Sequence, residues 1–480
     1  MKRKWSLLLA LVVGSFLLGG CGNGSKADSA TKETPSAQAA SKETKAAADE
    51  SGAASEGEKT PKEAVQIDIW HSMEGSNGKA MGALIERFNE TRGKELGIVA
   101  VDCFQGSDCA VKLKTLIQTD DKQNMPDVCQ IYNASLPVLA ATDYTVSIDD
   151  MWGKGSNLVT KEDILPNALT CYTYEGRQLS MPFNASTILL FHNLDAYAEA
   201  GLTEADIPET WDEVVDVARK LKKVENGKVV RYGLNLRMFR YEIVDMISAQ
   251  GENGTQFANN NNGRDGLVSE ITCEDELLNV YKIWEKLIAE QGTVNDSGDS
   301  QNQGFATGVN AMLLRSSAGI TAIGELAGDM KWCVSKLPVM SESDKGGAAI
   351  AGASLGMFDK GDEAKKMAAW EFILYTVSPE AQAQWSMDTG YLPVNVHSEE
   401  LPEYAAYVEK TPALAIALEQ NAEALPGTQE PVLNMASEIG TIMQTAATDM
   451  SNGKLGAEEA AKQVIEACEL AFEQYNRGNN

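Results

Sequence analysis

Gly352-Ala353-Ser354-Leu355-Gly356 is a G-x-S-x-G sequence, and Asp388 and His397 follow it in the chain order of a hydrolase triad. A nucleophilic serine in that motif needs a sharp strand-to-helix turn that lifts its hydroxyl clear of the sheet. Here Leu355 to Phe358 continues as strand-like apolar sequence and ends in a turn at Asp359-Lys360-Gly361. The motif therefore reads as strand interior, and a secreted serine hydrolase using Ser354 is the lesser alternative. The remaining polar groups follow a different pattern. His71-Ser72, Ser107-Asp108, Asn133 with Ser135, and Arg315-Ser316-Ser317 each come directly after, or one turn after, a short apolar run. Hydroxyls, amides and carboxylates placed there give and accept hydrogen bonds, which is the chemistry of recognition. Histidine occurs only at 71, 192 and 397, without an HExxH or a zinc-type Cys/His spacing, so neither a metal nor a cofactor is expected. Besides Cys21 there are cysteines at 103, 109, 129, 171, 273, 333 and 468. Scattered buried thiols are expected, with a Cys103–Cys109 bridge as the alternative.

The elements that carry these groups alternate strand with helix. Val65, Ile67 and Ile69 alternate with Gln66 and Asp68, the period of a half-buried strand that delivers Trp70-His71-Ser72. Asn77 to Thr91 follows with Met81, Leu84, Ile85 and Phe88 at helical spacing. Ile98 to Phe104 and Val128 to Tyr132 read as strands, with a helix reaching Thr119 between them. Gln178 to His192 is a pair of apolar runs broken by Pro182-Phe183-Asn184, which predicts a crossing between two lobes at that point. Asn193 opens a helix, and Thr210 opens another through a capping box with Glu213. Asn259 to Gly263 reads as a surface loop, Phe305 to Leu314, Trp332 to Leu337 and Ala348 to Phe358 as strands, and 272–290, 363–377 and 457–477 as helices. In open α/β sheets ligands bind outside the carboxyl ends of strands, where the polar groups fall.

Met1-Lys2-Arg3-Lys4 precedes an apolar run from Trp5 to Leu18, and Leu18-Gly19-Gly20-Cys21 follows. A secretory leader with cysteine directly after its small pair resembles a bacterial lipobox, and implies a signal peptide over 1–20 and lipidation of Cys21 at the outer face of the cell membrane. The run is shorter than the roughly 20 residues of a membrane span. Residues 21–61 hold no aromatic and no aliphatic larger than Ala, so they cannot offset the entropy of ordering and read as a disordered tether. The formal charge is −28, and the leader removes three of the positive charges, which argues against a nucleic-acid partner. About 415 residues remain, a size for two lobes.

Trp70 to Gly75, Pro182-Phe183-Asn184-Ala185-Ser186-Thr187, Ala200-Gly201-Leu202, Thr210-Trp211-Asp212, Gly352-Ala353-Ser354-Leu355 and Thr389-Gly390-Tyr391-Leu392-Pro393 together resemble the family 1 extracellular solute-binding proteins of ABC importers. They are most similar to its glycerol-3-phosphate-binding branch. The resemblance implies an α/β fold of two lobes, periplasmic-binding-protein-like of type II, with the ligand in the cleft, a membrane permease as partner, and a monomer without chemistry of its own. Lobe 1 is expected to take 62–181 and about 311–350, and lobe 2 to take 182–310 and about 351–480. The branch's ligand-lining positions fall on Ser186, Trp211, Ser316, Ser317, Gly352 and Tyr391, and Trp70 joins them at the end of the first strand. Two positions depart from the branch, with Asp108 in place of a tyrosine and Asn133 in place of a glutamate. The late segment 426–440 lacks the branch's arginine, leaving Arg240 or Arg237 as possible replacements. A buried phosphate without a cation is costly, so the expected ligand is a neutral sugar or oligosaccharide. Glycerol-3-phosphate or a glycerophosphodiester is the alternative, and an adhesin or sensor without a transporter is a third reading.

Overall fold

Ile67 and Ile69 are fully buried while Gln66 and Asp68 face outward, so the first strand is half-buried as its alternation requires. The computed structural model describes residues 64–106, 109–296, 299–425 and 427–479; the leader, Cys21, the tether and Asp108 lie outside the described residues. Eleven strands build the two large sheets. They are β1 (Val65–His71), β2 (Ile98–Phe104), β3 (Val128–Ile131), β4 (Met181–Ser186), β5 (Ile188–Asn193), β6 (Lys223–Glu225), β7 (Lys228–Asn235), β8 (Thr293–Val294), β9 (Asn310–Ser316), β10 (Trp332–Ser335) and β11 (Ala351–Met357).

The first sheet has the order β2-β1-β3-β11-β4. β1 runs parallel to β2 on one side and to β3 on the other, while β11 is antiparallel to β3 and β4. The order thus reverses direction at β1, and in open α/β sheets ligands bind outside the carboxyl ends of the strands at such a point. The helix Gly75–Glu90 covers this sheet, burying Met81, Leu84, Ile85 and Phe88. Phe88 meets Phe372 edge-on at 5.1 Å. The second sheet has the order β8-β7-β9-β5-β10, with β6 paired to β7. Leu189, Phe191 and Leu313 point to one core from this sheet, and Ile188, Leu190 and Leu314 to the other, so both of its faces are covered.

Sheet membership corrects the expected lobes. β9 and β10 pair in the second sheet, and β11 pairs in the first with β4, so 310–335 belongs with 188–235 and 351–357 with 65–186. Local periodicity identifies a strand but carries no information on its partner. The crossing expected at Pro182-Phe183-Asn184 lies instead at Thr187, the one residue between β4 and β5. Pro182 sits inside a strand because β4 pairs only with β11 and forms the edge of the sheet, where a missing N–H costs no ladder bond. The strand expected from Phe305 is helical from Asp299 to Ala306, and Gly308 at φ +74° makes the turn into β9. Asn259 to Gly263 is more than a surface loop. Asn260, Asn261 and Asn262 adopt φ of +55°, +53° and +56°, and Asn262 is buried with its side-chain N–H donating to the Gln429 carbonyl at 2.7 Å. Asparagine tolerates this left-handed turn better than other residues with a side chain. Among the described residues no helix is long and apolar enough to cross a membrane. Of the seven described cysteines, Cys109, Cys129, Cys171, Cys273 and Cys468 are buried and Cys103 and Cys333 half-buried.

Candidate ligand site between the sheets

The tips of β4 and β9 meet at Thr187. The Ser317 N–H donates to the Thr187 carbonyl at 2.8 Å, and the Thr187 N–H donates to Ser317 Oγ at 3.3 Å. Ala185 and Leu392 exchange backbone hydrogen bonds of 3.1 and 2.7 Å, which sets Tyr391 beside Ser186. A Cβ on Gly390 would lie 3.0 Å from the Ser317 carbonyl oxygen. Ser186, Ser317 and Tyr391 therefore share one neighbourhood between the sheets. The Tyr391 ring lies stacked near Trp385, centroids 6.2 Å apart at 20°. Burial, with Tyr132 second, holds its phenol protonated well above the usual range, while Arg315 and the nearby Asn184 side chain pull the other way.

Asn133 follows β3 and donates through Nδ2 to the Glu430 carbonyl at 3.2 Å. Arg240, the first residue of the helix Arg240–Ser248, pairs through Nη1 with Glu430 Oε1 at 3.4 Å, and these side chains are 16% and 11% exposed. Arg264 is buried and donates to the Glu430 carbonyl at 2.9 Å and to the Thr170 carbonyl at 3.3 Å. Three guanidinium groups, Arg237, Arg315 and Arg240, act on the buried carboxyl of Glu242. Burial is the larger force and pushes that carboxyl up to about 7. The Nε atoms of Arg237 and Arg315 are buried without a hydrogen-bond partner. Arg315 Nη1 donates to Gln301 Oε1 at 3.3 Å, and the Arg237 guanidinium lies over the Phe239 ring at 4.2 Å. Arg240 and Arg237 were the expected replacements for the branch's arginine; Arg315 in β9, which also acts on Glu242, was not among them.

The other expected site residues are placed as follows. Ser316 ends β9, accepts from the Ala318 N–H at 3.3 Å and lies beside the Tyr241 hydroxyl. Gly352 in β11 has φ +137°, and a Cβ there would meet the Asn184 carbonyl oxygen at 2.0 Å, so this glycine allows two backbones to touch. Trp211 is 1% exposed in the core behind the second sheet, away from this cluster. Trp70 is half-buried within β1, level with Cys103 and Cys129 of its neighbours. His71, at the tip of β1, is occupied: Nε2 faces Asp102 Oδ1 at 2.8 Å and Nδ1 accepts the Met73 N–H at 3.3 Å.

The hydrolase alternative fails on geometry. Ser354 is fully buried opposite Ile131 in the middle of β11, with its Oγ 2.8 Å from Ser180 Oγ. Asp388 pairs with Arg87 at 3.5 Å, and the exposed His397 lies between Asp163 and Glu400 at 3.2 and 3.1 Å. Ser354, Asp388 and His397 thus have other partners, and no proton relay joins them. Sequence reading passed over Tyr132, Tyr172 and Glu430, which surround Tyr391 and Arg240. Tyr132 carried a readable signal, an aromatic at the end of an apolar strand, and it is 41% exposed.

A cluster of hydroxyl, amide and guanidinium groups drawn from two sheets can hold a polar solute. The chain matches the description bacterial extracellular solute-binding protein over residues 83–413. It is 27% identical over 412 residues to the sn-glycerol-3-phosphate-binding periplasmic protein UgpB of Pectobacterium atrosepticum, covering 84% of this chain and 90% of that one. Among solved structures, UgpB of Mycobacterium tuberculosis in complex with glycerophosphocholine superposes with a TM-score of 0.67 at 20% identity, covering 86% of this chain and 99% of that one. Lmo0181 of Listeria monocytogenes in complex with cycloalternan gives 0.69 at 18% identity, covering 86% and 99%. The two-lobed α/β fold and the match across most of the folded chain lead to one assignment: the protein belongs to the bacterial extracellular solute-binding proteins.

Proposed function

We propose that this protein is the ligand-capturing component of an ABC importer, held at the outer face of the membrane through Cys21, and that it carries a polyhydroxy compound bearing an anionic group, of the glycerol-phosphate kind, to the permease. The observation that carries the anionic part is the cluster of Arg237, Arg240 and Arg315, two of whose Nε atoms are buried and unpartnered. Buried guanidinium N–H groups without acceptors are costly, and phosphate oxygens are their natural complement. Burial keeps Glu242 largely protonated below about pH 7, so it cancels little of that positive charge there. The hydroxyls of Ser186, Ser316 and Tyr391 suit the polyol part. The ligands after which the UgpB proteins are described, sn-glycerol-3-phosphate and glycerophosphocholine, are of this class.

A second reading, a neutral oligosaccharide, draws support from Tyr391 stacked near Trp385 and from the 41% exposed Tyr132, since aromatic faces pack on the C–H surface of sugars. Calorimetric titration with glycerol 3-phosphate, glycerophosphocholine, maltose and maltotriose separates the two. The anionic reading expects micromolar or tighter binding of a phosphate ester and a loss of at least about tenfold in Arg315→Gln, the cost of one charged hydrogen bond. Binding of the neutral sugars alone, unaffected by Arg315→Gln, overturns it.

A further inference from the structure

Among the described residues the main chain passes between the two sheets at Thr187, between β10 and β11 over 336–350, and again after the helix Pro412–Glu423. Gln420 lies on that helix and is 4% exposed. Its Nε2 donates to Thr187 Oγ1 at 2.5 Å and to the Ile188 carbonyl at 2.7 Å. Its Oε1 accepts the Leu337 N–H at 2.6 Å. A single carboxamide thus ties the first crossing to the second, from the helix that leads into the third. Both of its N–H bonds and its carbonyl are engaged with the protein, which leaves it unsuited to hold a ligand.

The segment it grips has room to move. A cavity of about 590 Å³ lies between Ser335–Val339 and the turn Glu204–Glu209, and a second of about 330 Å³ lies between Lys336–Val339 and Asp344–Ala348. A crossing flanked by open space on two sides meets little steric resistance when the sheets change their relative angle. Its hold on the rest of the molecule is then set by its hydrogen bonds. Lys336 adds ion pairs to Glu419 and Glu423 at 2.8 and 2.7 Å, but these side chains are 37%, 61% and 58% exposed, so the pairs are weak and salt-screened. Val339 bonds Glu209 and Trp211, both at 3.0 Å, and Gly346 bonds Ala249 and Leu425, both at 3.2 Å, whereas the three buried, neutral bonds of Gln420 are the ones that join this segment to Thr187.

We infer that Gln420 is a positioning residue: the pin that couples the crossings and fixes the lobe angle at which solute is captured. The inference rests on the reading that the protein captures a solute by closing its lobes. A residue of this kind alters the population of the binding-competent arrangement and so changes the affinity for every ligand by one common factor. A residue touching the ligand changes different ligands by different factors.

The test compares the whole mature protein with Gln420→Met, which preserves length and apolar volume and removes all three bonds. X-ray scattering and amide hydrogen exchange on the ligand-free protein are expected to show a larger radius of gyration and faster exchange at Leu337. Titration with glycerol 3-phosphate and with maltotriose is expected to show every ligand bound by the wild type weakened by the same factor, roughly fivefold or more. Tyr391→Ala, by contrast, shifts the ligands unequally. If Gln420→Met does not fold, Thr187→Val, which removes one of the three bonds, takes its place with a smaller common factor. Unchanged scattering and unchanged exchange at Leu337 in a folded variant overturn the pin. So does an effect confined to one ligand when the wild type binds both. If the wild type binds no solute, the capture reading falls alone, because the ligand-free measurements still decide on Gln420.

Discussion

Glu242 and Asp245 sit one helical turn apart behind the arginine cluster, 2% and 0% exposed, and each leaves one carboxyl oxygen without a partner. For Glu242, burial outweighs the pull of Arg237, Arg315 and Arg240 and raises the carboxyl to about 7. For Asp245, burial and then the neighbouring Glu430 raise it well above the ordinary carboxylate range, against the Ala349 N–H, which donates at 2.9 Å, and against Arg240. A carboxyl whose folded-state affinity for a proton exceeds its unfolded one binds more protons when folded. The stability it supports is then present at low pH and declines as pH rises from the unfolded value toward the folded one. For Glu242 that window runs from about 4.5 to about 7 and is worth on the order of 3 kcal/mol. Asp245→Asn keeps the acceptor for Ala349 and removes the titration. Its melting temperature is expected to exceed that of the wild type at pH 8 and to lie closer to it at pH 5, with a flatter profile between. A variant that melts lower than the wild type at pH 8 would show that Asp245 is needed as an ion.

Glycine positions divide β11 into two regimes. Gly352 at φ +137° has the Asn184 carbonyl oxygen 2.0 Å from where a Cβ would stand, so Gly352→Ala must push β4 and β11 apart. Gly356, four residues on, would place its Cβ at 3.5 Å from Leu139 Cδ1, an ordinary contact. Chemical denaturation is therefore expected to show Gly352→Ala destabilised by about 2–4 kcal/mol and Gly356→Ala by less than about 1 kcal/mol. Equal losses would mean that the β4–β11 approach is not under constraint. The same strands show how much the sequence disclosed. The alternation in β1, the helix behind it and the Thr210 capping box, whose Glu213 N–H donates to Thr210 Oγ1 at 3.3 Å, are local and were legible. That β11 pairs with β3 and β4, and β9 and β10 with β5, is a non-local choice that no window of residues contains. Pro182 misled because its tolerance depends on β4 being an edge. Arg240 and Arg237 could be named as candidates, but that Arg315 joins them was illegible for the same reason, since β9 reaches them by lying parallel to β7. Ser186, Ser317 and Tyr391 could be named in advance only through a family motif, not through any property of their own neighbourhoods.

At the scale of the whole molecule, a chain with a formal charge of −28 surrounds a site rich in arginine, so salt acts on it in two opposed ways. The acidic surplus repels itself, and this repulsion is largest when the screening length is about 30 Å, near 10 mM salt, and small when it is about 8 Å. Opposing it are surface ion pairs such as Lys161–Asp149 and Lys286–Asp212, whose side chains are 49%, 39%, 52% and 72% exposed and which add at most about 1 kcal/mol each. Repulsion among many like charges outweighs a few weak pairs. The ligand-free protein should therefore melt a few degrees higher at about 200 mM sodium chloride than at 10 mM. The partly buried guanidinium groups would respond in the other direction when they hold a ligand, because chloride and screening compete with an anion there and leave a neutral sugar untouched. Melting curves and titrations in one phosphate-free buffer series measure both effects. The expected outcome is a rising melting temperature together with a falling affinity for glycerol 3-phosphate. A melting temperature that falls with salt would mean that ion pairs, not the acidic surplus, govern the stability of this fold. A salt-indifferent affinity for the phosphate ester would take Arg237, Arg240 and Arg315 out of the recognition.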